Sequence, residues 1–240
     1  MIRWDAPPAY VVAFTTRQGG VSVGPYESLN LGLLAEDGHA NVEENRRRVC
    51  AYTGADPDLM AMNRQVHGAV VNKAAAGQRG TLGDGLWTEE PGLPLLKLTA
   101  DCLPVALVRT DGRPRLVLLH VGRLGLLAGI VEAGVAMPGV ATAPGVATPR
   151  QKAVIGPGIG PCCYEVGTEI LETYRARFGS AVIRNRHLDL PAAAELALRE
   201  AGVTEVDRID ICTACNADDF FSHRRDGGVT GRQGVIGYIA

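Results

Sequence analysis

Two residues able to bind a metal, or to act as nucleophile and base, stand in apolar surroundings. Cys102 lies in LKLTADCLPVALV (96–108) and His120 in LVLLHVGRLGLLAGI (116–130). A third, His67, lies upstream in NRQVHG (63–68). Two imidazoles and one thiolate form a coherent ligand set, because nitrogen and sulfur donors favour zinc over magnesium and also suit copper. Three protein ligands leave a fourth position for water or substrate, as in a catalytic centre. Asp101, beside Cys102, is placed to take a proton or to orient a ligand. The separations along the chain match no short zinc motif, so this reading requires the fold to bring the three residues together. The same residues admit a metal-free reading, with Cys102 as nucleophile and His120 as its base in a hydrolase or amidase. A non-enzymatic structural protein is a third class, and it requires no polar pocket around these side chains.

The elements that must position them are legible as patterns. Leu103–Arg109 and Leu116–Val121 are apolar runs joined by the turn TDGRP, a hairpin signal. Cys102 precedes its first strand and His120 closes its second, which puts both at one rim. A strand over Gln65–Val71 would place Gln65, His67 and Ala69 on one face. Further strands are expected at Ala9–Phe14, Leu93–Thr99, Ala153–Ile155 and Val206–Cys212. Helices are expected at Asn41–Tyr52, Gly125–Met137, Val166–Phe178 and Leu190–Ala201. Asn41 suits a cap, and Pro191 and Gly202 suit a helix start and stop. The class is α/β, with residues 1–240 forming one catalytic domain. Pro138–Pro149 repeats PGVAT and reads as a low-complexity connection.

Several loops carry polar or aromatic residues suited to a ligand. Thr15–Gly32 holds Arg17 and Asn30, and the helix at 41–52 carries Arg46 in a basic run. The stretch CTACNADDFFSHRRDGGVTGRQ (212–233) holds Phe221, able to pack under or stack on a planar ligand, and Arg225. GPGIGPCCYEVG (156–167) departs from the dinucleotide fingerprint, and 77–85 is no phosphate-binding P-loop. Cys212 and Cys215 form a C-x-x-C pair that no second such pair completes, and adjacent Cys162 and Cys163 are poor partners on one metal. Buried thiols are the expectation there.

Composition narrows the classes. The chain of 240 residues has a net charge of −2 and six cysteines. Its basic residues are scattered, which argues against nucleic acid. Its apolar runs are too short and interrupted to span a membrane. A cytoplasmic protein with free thiols is expected.

The ordered landmarks TRQGGVSVGPYESLNLG, NRQVHG, TADCLPVAL, HVG, IGPGIGPCCYEVG, DLP, CTACN and FFSHRRDGGVTGRQ cover nearly the whole chain. By them the sequence resembles the laccase-domain, or multicopper-oxidase-like, family, later described as purine nucleoside phosphorylases. The resemblance implies mixed β-sheets packed together with helices outside, a fold similar to toxin-type cysteine deamidases. It implies a metal on His67, Cys102 and His120, zinc in most accounts and copper in a polyphenol-oxidase alternative. It implies phosphorolysis of adenosine, inosine, guanosine and methylthioadenosine, with adenosine deaminase activity also described. The partners are then a small-molecule nucleoside and phosphate, for which Arg17, Arg46 and Arg225 are the candidate anion contacts. One departure stands out. Where the family has HAGWRG, this chain has HVGRLG (120–125), with Arg123 at the tryptophan position and Leu124 at the arginine position.

Overall fold

The computed structural model describes residues 1–33, 35–136 and 149–240. Both copies of PGVAT lie outside them, and of the connection expected at 138–149 only Pro149 is described. In chain order the strands are β1 (Ile2–Arg3), β2 (Tyr10–Phe14), β3 (Val71–Lys73), β4 (Gly85–Thr88), β5 (Leu95–Thr99), β6 (Leu103–Arg109), β7 (Leu116–Val121), β8 (Gln151–Ile155), β9 (Ile183–Arg184), β10 (His187–Leu188), β11 (Glu205–Arg208) and β12 (Gln233–Ile239). The helices are α1 (His39–Thr53), α2 (Arg123–Leu127), α3 (Ile130–Val135), α4 (Thr168–Phe178) and α5 (Leu190–Glu200).

The hairpin β6–β7 sits in the middle of a mixed six-stranded sheet of order β11-β8-β6-β7-β4-β3. Its strands are apolar at nearly every position because both faces are covered. Leu103, Val105 and Leu107 of β6 alternate with Ala106 and Val108, and the two sets join different cores. The first set, with Val117, Leu119 and Val121 of β7, packs under α2 to α5. The second, with Leu116 and Leu118, packs on Tyr10, Val12, Phe14, Leu95, Val235 and Ile239 of an antiparallel sheet of order β1-β2-β12-β5. The outer face of that smaller sheet carries Ala13, Leu96 and Ile236 against Val49 and Cys50 of α1. The result is one α/β unit of four layers, helix–sheet–sheet–helix, with mixed β-sheets packed together as expected.

Four expectations change, the first being the cap: α1 starts at His39 after Gly38, which puts Asn41 inside the helix. The strand expected from Gln65 begins only at Val71, and His67 lies in a turn with φ +59. The helix expected over 125–137 is two short helices, because Gly129 takes φ +89 between them. β11 stops at Arg208, short of Cys212. The strand β12, additional to those expected, fills the middle of the smaller sheet. A side chain at Gly234 would run into the Lys97 carbonyl, and one at Gly237 would meet the Val11 carbonyl at 3.0 Å. These glycines permit close strand approach instead of marking a loop.

Candidate metal centre

The β6–β7 register pairs Pro104 with His120, so Cys102 and His120 lie at the same end of the hairpin. His67 reaches that end from the loop before β3. The donor atoms of His67, Cys102 and His120 all lie within 4.8 Å of one another. The imidazole rings of His67 and His120 meet edge to face, with centroids 4.8 Å apart. Gly122 makes the convergence sterically possible: a Cβ there would meet the Cys102 sulfur at 2.9 Å and His67 Cδ2 at 3.0 Å.

The group that builds this geometry is Asp84, whose residue is wholly buried. Its Oδ1 accepts from His120 Nδ1 at 2.7 Å and from the His67 amide at 2.9 Å. Its Oδ2 accepts from the amides of Val66 at 3.1 Å and Gly68 at 2.8 Å. One carboxylate therefore folds the left-handed turn at His67 and orients His120. With Nδ1–H donated to Asp84, the Nε2 lone pair of His120 is free for a metal. Burial works against the charge on Asp84, but the bonds from His120, Gly68 and Val66 outweigh it and hold the carboxyl at about 2. Asp84 was missed in the sequence because its segment, GDG between turn residues, reads only as a connection.

The loop before β3 is also tied to the strand that leads into Cys102. The Gln65 side chain donates to the Leu98 carbonyl at 2.7 Å and accepts from its amide at 2.9 Å, mimicking a strand partner. Asp101, at φ +83, is engaged by the loop after β11. Its carboxylate accepts from the Thr213 hydroxyl at 2.7 Å and from the Arg224 amide at 2.7 Å. It thus links the Cys102 turn to the loop after β11.

The substrate candidates are engaged within the protein. Arg46 donates twice to the Leu31 carbonyl, at 3.1 and 2.8 Å, and pairs with Glu43 at 2.6 Å. Arg17 donates to the carbonyls of Glu27 and Ala217 and lies 4.7 Å over the ring of Phe221, which is fully buried. Arg225 pairs with Asp226 and donates to the carbonyls of Thr213 and Phe220. Asn30 accepts from the amides of Gly32 and Arg232 and donates to Asp37. Each holds loops in place with the polar groups that a phosphate would need.

Residues 11–239 match the family model described as multi-copper polyphenol oxidoreductase laccase. The chain belongs to this laccase-domain family. Curated relatives of this laccase-domain protein carry a different name. It is 34% identical to "Purine nucleoside phosphorylase YlmD" of Geobacillus stearothermophilus, over 96% of this chain and 91% of that one. It is 38% identical to "Purine nucleoside phosphorylase" of Deinococcus radiodurans, over 93% and 87%. The crystal structure of YlmD from Geobacillus stearothermophilus superposes with a TM-score of 0.88 at 34% identity, covering 98% of this chain and 94% of that one. That of the Bacillus licheniformis hypothetical protein YfiH gives 0.86 at 28% identity, covering 96% and 93%.

The electrostatics of the laccase-domain site suit ligands to a cation. Burial pushes the His120 imidazole below its usual range, so the neutral form that can donate a lone pair is favoured. Burial pushes the Cys102 thiol up to about 12, and the nearby Asp101 and Asp84 charges add to this. Arg232 and Arg123 are the cations that oppose that rise. No described helix is long and apolar enough to cross a membrane.

Proposed function

We propose that this protein is a metal-dependent purine nucleoside phosphorylase, with His67, Cys102 and His120 as ligands of a zinc ion. The observation that carries the reading is the near full-length similarity to relatives named for that activity. The donor set of two imidazoles and one thiol, convergent and with Nδ1 of His120 already committed to Asp84, fits zinc. When bound, the ion would supply a Lewis acid beside the reacting groups and would hold Cys102 as thiolate. The third donor, His67, within 4.8 Å of Cys102 and His120, favours the metal reading over a metal-free Cys102–His120 hydrolase of the toxin-deamidase kind.

In phosphorolysis, a phosphate oxygen forms a bond to ribose C1′ as the bond to the purine breaks. Positive charge develops on the sugar and negative charge on the base, so the protein must hold an anion near C1′ and neutralise the leaving purine. Arg123 and Arg232, whose charges act on Cys102, join Arg17, Arg46 and Arg225 as candidates for holding the anion. Arg123 would then supply, from a shifted position, the charge that Leu124 removes from the family motif. Asn30 contributes by accepting from the Arg232 amide at 2.8 Å. Asp101 acts as a positioning residue between Cys102 and the loop carrying Thr213 and Arg224. The substrates are adenosine, inosine, guanosine and methylthioadenosine, with adenosine deamination as a second activity, in the cytoplasm.

Incubating the zinc-loaded protein with inosine, with and without inorganic phosphate, tests this. Hypoxanthine and ribose 1-phosphate should form together and only with phosphate. Absence of cleavage, or cleavage to free ribose irrespective of phosphate, would sink the reading.

A further inference from the structure

The cysteines that the sequence offered as unrelated pairs are neighbours in space. Cys162 and Cys163 lie in the turn after β8, and Cys212 and Cys215 lie after β11. All four sulfurs fall within 4.8 Å of one another. Cys215 Sγ is 3.3 Å from Cys162 Sγ and 3.3 Å from Cys163 Sγ. Those separations are too long for a disulfide. With the whole set within 4.8 Å, the sulfurs lie in the range of the ~3.8 Å found around a tetrahedral zinc with Zn–S bonds near 2.3 Å.

The scaffold around the sulfurs is built independently of them. Gly158 donates to the Ile211 carbonyl at 3.3 Å, and Thr213 donates to the Gly158 carbonyl at 3.0 Å, so the two segments are already paired. Cys163 and Tyr164 donate back to the Gly160 carbonyl, each at 3.1 Å, which closes the first turn. Asn216 donates to the Cys212 carbonyl through both its amide and its side chain, which closes the second. The Gly160 amide points at the Cys212 sulfur at 3.3 Å, and the amides of Cys215 and Ala214 are turned toward it too. Backbone donors on the first sulfur of a C-x-x-C turn stabilise a thiolate there. The turn at the adjacent Cys162 and Cys163 brings both sulfurs to 3.3 Å from Cys215, so neighbouring positions in the chain do not keep them from one centre.

We propose that Cys162, Cys163, Cys212 and Cys215 form a second metal site, a tetrathiolate that takes a thiophilic divalent ion such as zinc. Binding releases the thiol protons as the four sulfurs become thiolates, with no change of oxidation state. The site is structural, since four protein ligands fill the tetrahedron. It fastens the loop after β8 to the loop after β11. Thr213, between Cys212 and Cys215, carries the hydroxyl that binds Asp101, and Ile159 donates to the Asp101 carbonyl at 2.8 Å. The second ion therefore braces the backbone that positions Cys102.

The test is metal content per chain of the full-length protein, purified under reducing conditions and loaded with zinc. Wild type should hold two ions, Cys102→Ala one and Cys212→Ser one. Cobalt-loaded Cys102→Ala should show a strong thiolate-to-cobalt charge-transfer band that the added Cys212→Ser substitution abolishes. If Cys212→Ser does not fold, Cys162→Ser and the cobalt spectrum of Cys102→Ala serve instead. A Cys102→Ala protein without metal, or an intact mass showing a disulfide among these four cysteines in place of an ion, would overturn the proposal. Failure of the His67–Cys102–His120 site alone would instead leave wild type with one ion that Cys102→Ala retains.

Discussion

Asp84 Oδ1 lies 2.7 Å from His120 Nδ1, and the same carboxylate gathers three successive amides around His67. One buried charge thus sets the position of two of the three candidate metal donors, although it lies on neither of their segments. Asp84→Asn should weaken metal binding about 10- to 100-fold, the usual loss when a carboxylate behind a ligating histidine is removed. Chelator competition on the variant and wild type measures it. Equal affinities would show that Asp84 does not orient the ligands.

The same carboxylate predicts an acid response. Its folded-state value of about 2 lies below its ordinary 3.8. Its stabilising contribution is therefore complete above about 4 and is lost as pH falls toward about 2. Metal-free wild type should lose stability more steeply over that window than metal-free Asp84→Asn. Chemical unfolding at a series of acidic pH values provides the comparison, and parallel curves would contradict the assignment.

Gly122→Ala probes the space shared by the ligands. A methyl group there would press on both the Cys102 sulfur and His67 Cδ2. Bound metal should fall while the far-ultraviolet circular dichroism stays that of the folded protein. A variant that keeps its full metal would show that Gly122 is not needed for the convergence.

Lys97 is fully buried and hydrogen-bonded to Asn63 Oδ1. Burial lowers it from its ordinary 10.5 to about 7, with the Asp84 charge opposing. The unfolded chain then holds a proton that the folded chain gives up more readily. The resulting penalty is full below about 7 and fades as pH rises toward 10.5. Lys97→Met should stabilise the protein near neutral pH by about 2 kcal/mol, after the cost of stranding the Asn63 oxygen. The gain should shrink near pH 10. Urea titrations at the two pH values decide it, and a variant less stable than wild type near neutrality would contradict the sign.

The hairpin that carries Cys102 and His120 was legible because its apolar runs and the TDGRP turn act locally. So were the helices at 168–178 and 190–200, the second capped at its start by the Asp189 side chain accepting from the Ala192 amide at 3.0 Å. The turn at His67 was not legible, because a carboxylate seventeen positions away makes it. The strand β12 went unread, and its glycines serve close packing against Lys97 and Val11. The cysteine cluster was hidden by distance along the chain: the C-x-x-C of Cys212 and Cys215 has no second such pair, Cys162 and Cys163 are adjacent, and pairing of the two loops makes them a set. Arg46, Asn30 and Arg225 show the opposite effect, since polar residues suited to a ligand are as well suited to tying loops.

The central claim is that His67, Cys102 and His120 hold the ion on which phosphate-dependent nucleoside cleavage depends. The most direct measurement is a zinc titration of demetallated protein while hypoxanthine release from inosine is followed in phosphate buffer. Wild type should regain activity with added zinc, and Cys102→Ala should stay inactive at every concentration. Full turnover by metal-free wild type, or zinc-restored turnover by Cys102→Ala, would contradict the account.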